Sequence, residues 1–482
     1  VHALAHRNGD ISFWQASLPA PVRRAPLPGD RDADVCIVGA GFTGLWTAYQ
    51  LKRTRPQLEV VVLEREHAGF GASGRNGGWL IPAFGMPRER AARPHGQAGG
   101  GALERALRES VADVLAVCAE EGIDCDALAS GVLRVARGPA QTARLRAAIA
   151  AQLAVGGGLV ELDADALAAR VRVAGASAAA WSPHGVRLQP AKLVRGLAAA
   201  AERRGVRIYE RTAVRELRPA AHASRDRAPL DAAGRGPADA GAASAVSDRG
   251  TVRAPVVLSC LEGFTPTLRG QRRALLPLNS AMVVTEPLRE ATWAAIGWEG
   301  AELLGDAAHV YVHAQRTADG RIALGGRGVP YRYGSRTDRD GRTQRRTVAG
   351  LAGMLRALFP DAADAAIDHA WCGVLGVARD WQPAVRLDRA SGIGFAGGYV
   401  GSGVGASSLA GRTLRDLVLG EDTELTRLPW VGHAAHRWEP EPLRWLGATA
   451  VYALYRAADR HEARGLRRTS ALARAADALA GR

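Results

Sequence analysis

The chain has 482 residues, too many for one simple core, so two or more domains are expected. Its 47% apolar content suits a globular protein, and no apolar run is long enough to span a bilayer. The net charge of +15 does not mark a nucleic-acid binder: of 63 basic residues all but Lys52 and Lys192 are arginine, spread along the chain with no basic block interleaved with aromatics.

Residues 1–33 form a Pro-rich, irregular arm with Phe13 and Trp14 as anchors, and "VHALAHRNGD" lacks the apolar core of a secretory signal. The five cysteines, Cys36, Cys118, Cys125, Cys260 and Cys372, have no metal-ligand spacing. They predict reduced thiols and a cytoplasmic setting.

The run "DVCIVGAGFTGLWTAYQL" predicts a buried parallel strand, a tight turn and a helix, followed by a second strand, "EVVVLE". Gly39, Gly41 and Gly44 fall in the spacing G-x-G-x-x-G. Gly39 permits the turn, Gly41 lets a pyrophosphate approach the backbone, and Gly44 lets the helix pack on the strand. The free N–H groups at the helix start, around Phe42 and Thr43, then face the phosphates. Glu64 closes the second strand where an acid accepts ribose hydroxyls, with Arg65 beside it.

"GFGASGRNGGW", residues 69–79, is a second glycine-rich segment within reach of a long dinucleotide. Its candidates are Ala72, Ser73, Arg75, Asn76, Gly77 and Gly78. Helices are predicted over 101–122 and 141–154 and from "LQPAKLVRGL", with strands at 206–209 and near 212–217. Residues 218–250 lack an apolar stripe and are expected to be a mobile surface insertion. "TVRAPVVLSC", "LPLNSAMVVTEPL", "HVYVHAQRT" and "RIALGG" have strand character. Near 393–420 the pattern is strand, glycine-rich turn and helix, with Gly401, Gly403, Val404 and Gly405 at the helix start. That helix dipole suits the negative charge of a reduced flavin. From 425 onward a helical tail is expected to pack on the body.

Together, "VCIVGAGFTGLWTAYQL", "FGASGRNGGW", "RTADGRIALGGRG" and "GGYVGSGVGASSLAGRTL" resemble the D-amino-acid oxidase and glycine oxidase superfamily of FAD enzymes. Within it they are similar to the gamma-glutamylputrescine oxidase-like branch, including putative aminophosphonate oxidoreductases. "SFW" at 12–14 and "PWVGHAAHRWEPEPLRWLG" extend the resemblance.

The resemblance implies an α/β fold: a Rossmann-like FAD domain (34–95, 186–262 and 373–424) interleaved with an α+β, sheet-based substrate domain (96–185 and 263–372), then a helical tail, 425–482. It implies non-covalent FAD, with Val214 meeting adenine through its backbone. Amino-acid oxidases of this superfamily often clamp the substrate carboxylate with an Arg two residues after the Gly opening the last FAD segment. Counting back from Pro383 makes that Gly373, so Leu375 occupies the position and Arg379 is out of register.

The expected reaction is oxidation of an amine C–N bond, with hydride passing to flavin N5, the imine hydrolysing, and O2 or another acceptor reoxidising the flavin. The expected substrate is a small amine with a remote acidic group. His309, Tyr311 and His313, on one face of a strand, are candidate pocket residues on the capping sheet. Arg316, Arg321 and Arg327 are candidates for an anionic substrate group, and Arg327 and Arg379 are candidate catalytic-site residues. The alternatives are a D-amino-acid or glycine-type oxidase, a non-catalytic flavoprotein, and an NAD-dependent dehydrogenase, which would leave 69–79 and 401–405 unexplained.

Overall fold

The computed structural model describes residues 5–83, 96–154, 158–221, 241–326, 331–337 and 340–481. Val35–Val38 (β1), Val60–Leu63 (β2) and Val256–Ser259 (β3) are four-residue runs with every side chain buried. Apolar on both faces, they suit a parallel sheet covered on both sides. The sheet runs in the order Arg207–Tyr209, β2, β1, β3, Ile393–Gly397, Ala384–Asp388, and only the last strand is antiparallel.

Alternate residues then separate into two cores. Val35, Ile37, Val60 and Val62 pack with Phe42–Thr54 (α1), Gly96–Glu121 (α2), Pro190–Arg203 (α3) and Gly403–Leu419 (α4). Cys36, Val38, Val61 and Leu63 face a small sheet of Val214–Arg218, Ala243–Ser247, Thr251–Ala254 and Arg31–Asp32.

The second body is a nine-stranded sheet. Near one edge lies its longest pair, the antiparallel Leu276–Thr285 (β4) and Ile367–Val377, with Ile322–Gly326 and Val312–Arg316 (β5) following β4 toward the middle. Period-two alternation divides its faces: Ala281 and Val283 of β4 join the core under Arg345–Leu358, while Met282 and Val284 meet Phe13, Trp14 and Trp371. Ser12 caps the Phe13–Ala16 turn and donates its hydroxyl to Gly74 O at 2.6 Å, so the arm ties this sheet to the glycine-rich loop. Leu443–Glu462 (α5) and Ala471–Ala480 (α6) form a hairpin packed on Leu276, Leu278, Val377 and Trp381. Among the described residues no helix is long and apolar enough to cross a membrane.

Three expectations are corrected. α2, expected with the large sheet, packs on the six-stranded sheet instead, because its stripe of Leu103, Leu107, Val114 and Val117 is buried in the first core. The boundary at 373 falls inside Ile367–Val377, which is one continuous strand of the large sheet. The expected insertion is too wide, since Ala243–Ser247 is the middle strand of the small sheet, with Ala243 and Ala245 buried. Small alanines hide that strand from a hydrophobicity scan. Residues 222–240 of the insertion lie outside the described residues.

Candidate active site

A cleft of about 1100 Å³, open to solvent, lies at the C-terminal ends of β1, β2 and β3, between the N termini of α1 and α4. In open parallel sheets this is where dinucleotides bind. Gly39 has φ +109°, and a Cβ there would sit 2.7 Å from Cys260 O. At Gly44 a Cβ would be 2.0 Å from Gly39 O, so this glycine lets the helix lie on the strand. Gly41 faces Ser73 Oγ, at 3.0 Å from its absent Cβ. The Phe42 N–H donates to that hydroxyl at 2.8 Å, which is an acceptor at the helix start where a phosphate oxygen would serve equally. Thr43 Oγ1 and Tyr399 OH are 3.1 Å apart. Glu64 accepts from the amides of Ala40 and Glu66, both at 2.9 Å, and burial raises its pKa against their pull. With Arg65 and Val214 it lines the end of the cleft expected for adenine.

The loop at 69–79 folds through the turn Ala72–Gly74. Ala72, Ser73 and Asn76 line the cleft. The Asn76 amide group donates to Ser73 O at 2.9 Å and its oxygen accepts from Gly78 N at 2.8 Å, which sets the loop's shape. Arg75 does not line the cleft. It is buried, donates to Phe70 O, Cys372 O and Asp10 O, and so staples loop, sheet and arm. Gly77 and Gly78 permit close packing rather than cofactor approach: Cβ atoms there would sit 2.7 Å from His313 and 2.2 Å from Leu188 O. Gly401, Gly403 and Val404 line the cleft, and the first turn of α4 takes no side-chain cap, leaving its amides available. Gly405 instead backs onto Ile81 O, 2.9 Å from its absent Cβ.

The titratable candidates disperse. Only the end of "HVYVHAQRT" is strand, Val312–Arg316, so His309 and Tyr311 precede it and the expected shared face does not form. His309 Nε2 meets Glu462 at 2.9 Å and its amide donates to Asp459 at 2.8 Å, both on α5. Asp459 and Glu462 lie close enough to His309 to suggest a metal site. Yet Arg144 donates to Glu462 at 2.7 Å and a second backbone amide, that of Val310, fills Asp459, so the group latches the hairpin. Tyr311 is exposed. His313 alone turns toward the glycine-rich loop, with Trp79 edge-on at 5.9 Å between centroids. Arg316 pairs with Glu299 and donates to Trp298 O; Arg321 is held by Asp319 and Asp368. Arg379 pairs with Glu439 at 2.9 Å and donates to Ala480 O, serving the tail rather than a substrate. Arg327 lies outside the described residues.

The structure adds to the cleft Tyr399, Thr212, Phe264, Ser407 and Glu262. Tyr399 stands in the quoted "GGYVGSG" run, but Glu262 carries no motif. These residues fit a dinucleotide: two helix starts without a cap from their own N-cap residue, one of them met by the Ser73 hydroxyl, an acid at one end, and a wall of Val374 and Leu375 at the other.

Residues 34–417 match the family described as FAD dependent oxidoreductase, DAO. The chain belongs to this family. It is 28% identical over 395 residues to the gamma-glutamylputrescine oxidoreductase of Escherichia coli (strain K12), covering 80% of this chain and 84% of that protein. It is 27% identical over 429 residues to a Rhizobium meliloti (strain 1021) protein named "Probable oxidoreductase OrdL", covering 86% and 90%. Among solved structures, glycine oxidase from Geobacillus kaustophilus superposes with a TM-score of 0.67 at 19% identity, over 84% of this chain and 100% of that one. Iminodiacetate oxidase from Chelativorans sp. BNC1 gives 0.64 at 18%, over 82% and 99%. At these identities the structural likeness establishes the fold. As an FAD-dependent oxidoreductase, the protein places its fingerprint, its second loop and its α4 turn around one cleft.

Proposed function

We propose that this FAD-dependent oxidoreductase oxidises the C–N bond of a small primary or secondary amine whose acidic group, if it has one, lies away from the reacting carbon. Bound FAD would supply the acceptor for the hydride that leaves the carbon next to nitrogen. Water then hydrolyses the imine to a carbonyl compound and an amine, and O2 or another acceptor takes the electrons onward. The chain's own part is to bind, orient and exclude water. Gly39, Gly41, Ser73 and Glu64 would hold the dinucleotide, and the start of α4 would favour added negative charge. The substrate nitrogen must be neutral to react, so the rate should rise with pH.

The observation that carries the reading is Leu375. It stands in the cleft wall beside Val374, and the only basic side chain among the described lining residues is Arg65, beside Glu64 at the far end. Among the described lining residues, a carboxylate on the reacting carbon therefore finds no bidentate partner. The name of the Escherichia coli relative supports an amine over an amino acid. FAD would be dissociable. Cys260 is the one cysteine among the described lining residues, and burial pushes its thiol up to about 12, far from a nucleophilic thiolate.

The test is anaerobic stopped-flow bleaching of the flavin with D-alanine, glycine, putrescine derivatives and 2-aminoethylphosphonate. Lacking a clamp should cost α-amino acids about 2–5 kcal/mol of binding. The amines should win by kcat/KM; if glycine or D-alanine wins, the α-carboxylate has a partner and the reading fails.

A further inference from the structure

Glu262 opens the short turn Glu262–Thr267 that follows β3. Its backbone is left-handed, at φ +47°, a region that a residue with a long side chain rarely adopts. The side chain that this backbone delivers is half-buried and lines the cleft. Its Oε1 accepts from the amides of Gly398 and Tyr399, at 3.1 and 2.9 Å. These are the residues that lead from Ile393–Gly397 into the glycine turn before α4. Its Oε2 is sealed from solvent and makes no hydrogen bond of good geometry, with only the Gly376 amide pulling on it. That oxygen lies against Gly376, where a Cβ would approach it to 2.0 Å, so the large sheet leaves room for it only because of a glycine.

We infer that Glu262 is a positioning residue for bound FAD: its carboxyl fixes the turn that starts α4 to the end of β3, and it enters the FAD complex uncharged. This rests on the reading of the cleft as the FAD site.

No described neighbour neutralises a carboxylate at this point. From β3 comes Cys260, a neutral thiol; from the large sheet come Val374, Leu375 and Gly376. From the α4 turn comes Tyr399, whose phenol burial holds well above its ordinary range and whose hydroxyl is engaged with Thr43 of α1. Burial accordingly pushes the Glu262 carboxyl up to about 7, against the pull of the Tyr399, Gly376 and Gly398 amides. FAD brings a doubly charged pyrophosphate, gains further negative charge on reduction, and removes the water that the exposed part of Glu262 still touches. All three effects penalise the charged carboxylate. A group neutral below about pH 7 and charged above it should therefore take up a proton as FAD binds at higher pH.

The experiment measures FAD rebinding to the deflavinated full chain by flavin fluorescence between pH 6 and 8.5. For a rise of one unit from about 7, affinity falls about sevenfold between those two pH values. The wild type should weaken by about that factor. E262Q, neutral throughout, should change by less than about twofold and at pH 8.5 match the wild type at pH 6. E262A, which gives up the amide contacts, should bind more weakly than E262Q at every pH. Parallel profiles for wild type and E262Q overturn the inference. Should E262Q not fold, calorimetry of the wild type at pH 7.5 in two buffers of different ionisation enthalpy decides. Net proton uptake on FAD binding supports the inference and its absence overturns it. A wild type that takes up no flavin at any pH brings down the FAD reading of the cleft, and this inference with it.

Discussion

The fingerprint turn and the hairpin latch do their work in opposite ways. At Gly39 and Gly44 the decisive property is a missing side chain, and the atoms that would clash, Cys260 O and Gly39 O, are backbone. At the latch the decisive property is charge: Glu462 is held by Arg144, His309 and the Ser470 amide, groups on separate elements. The same kind of residue pattern, glycines at fixed spacing or histidines at alternate positions, is thus dependable in one region and misleading in the other. A glycine's role follows from local backbone geometry, whereas a titratable side chain's role follows from whatever the fold puts beside it.

The sharpest way to break this contrast is at Gly44. Any side chain there meets Gly39 O, so Gly44→Val should cost more than about 3 kcal/mol and purify without flavin. A yellow, stable variant would show that the helix can move and that the spacing is not what matters. Glu462→Ala comes next. It removes a buried carboxylate held by Arg144, His309 and the Ser470 amide, so a loss of about 3–5 kcal/mol is expected, seen as loosening of α5 and α6 to limited proteolysis with FAD retained. If His309→Ala instead abolished flavin reduction without lowering Tm, the latch reading would give way to a catalytic one.

A titration sharpens the same point at His369, buried beside Trp371, where burial lowers the imidazole to about 4 from 6.5. Between those values the folded state binds fewer protons than the unfolded chain. The stabilisation is therefore complete above pH 6.5 and is lost as pH falls, by about 3 kcal/mol at pH 4. His369→Phe should flatten that part of the stability curve, and an unchanged curve would show that the ring is already accessible to protons. The smallest effect belongs to a trimming pair. Removing 222–240 should cost less than about 1 kcal/mol, since its composition holds no apolar stripe. Removing 218–250 takes out Ala243–Ser247 and should disrupt the small sheet that covers β1 to β3. Equal melting temperatures for the two deletions would mean that this sheet contributes little.

What could be read from the sequence follows the same division. The strand, turn and helix at 34–54, the second glycine-rich loop and the strand-to-helix turn near 400 are contiguous segments whose conformation is set by glycine positions and apolar runs. Their convergence on FAD chemistry was accessible without coordinates. Ala243–Ser247 was not, because alanine and serine carry too little apolar contrast to announce a strand. The arginines and histidines were not either. Arg75 finds its carbonyl on Cys372, 297 residues on; His309 finds Glu462, 153 residues on; Arg379 finds Glu439, 60 residues on. Glu262 is the converse: a side chain without a motif is carried into the cleft by one left-handed residue, with a gap for its oxygen at Gly376. Backbone geometry is a short-range property and is written locally. Charge partners and burial are set by distance in space, which only the folded chain decides.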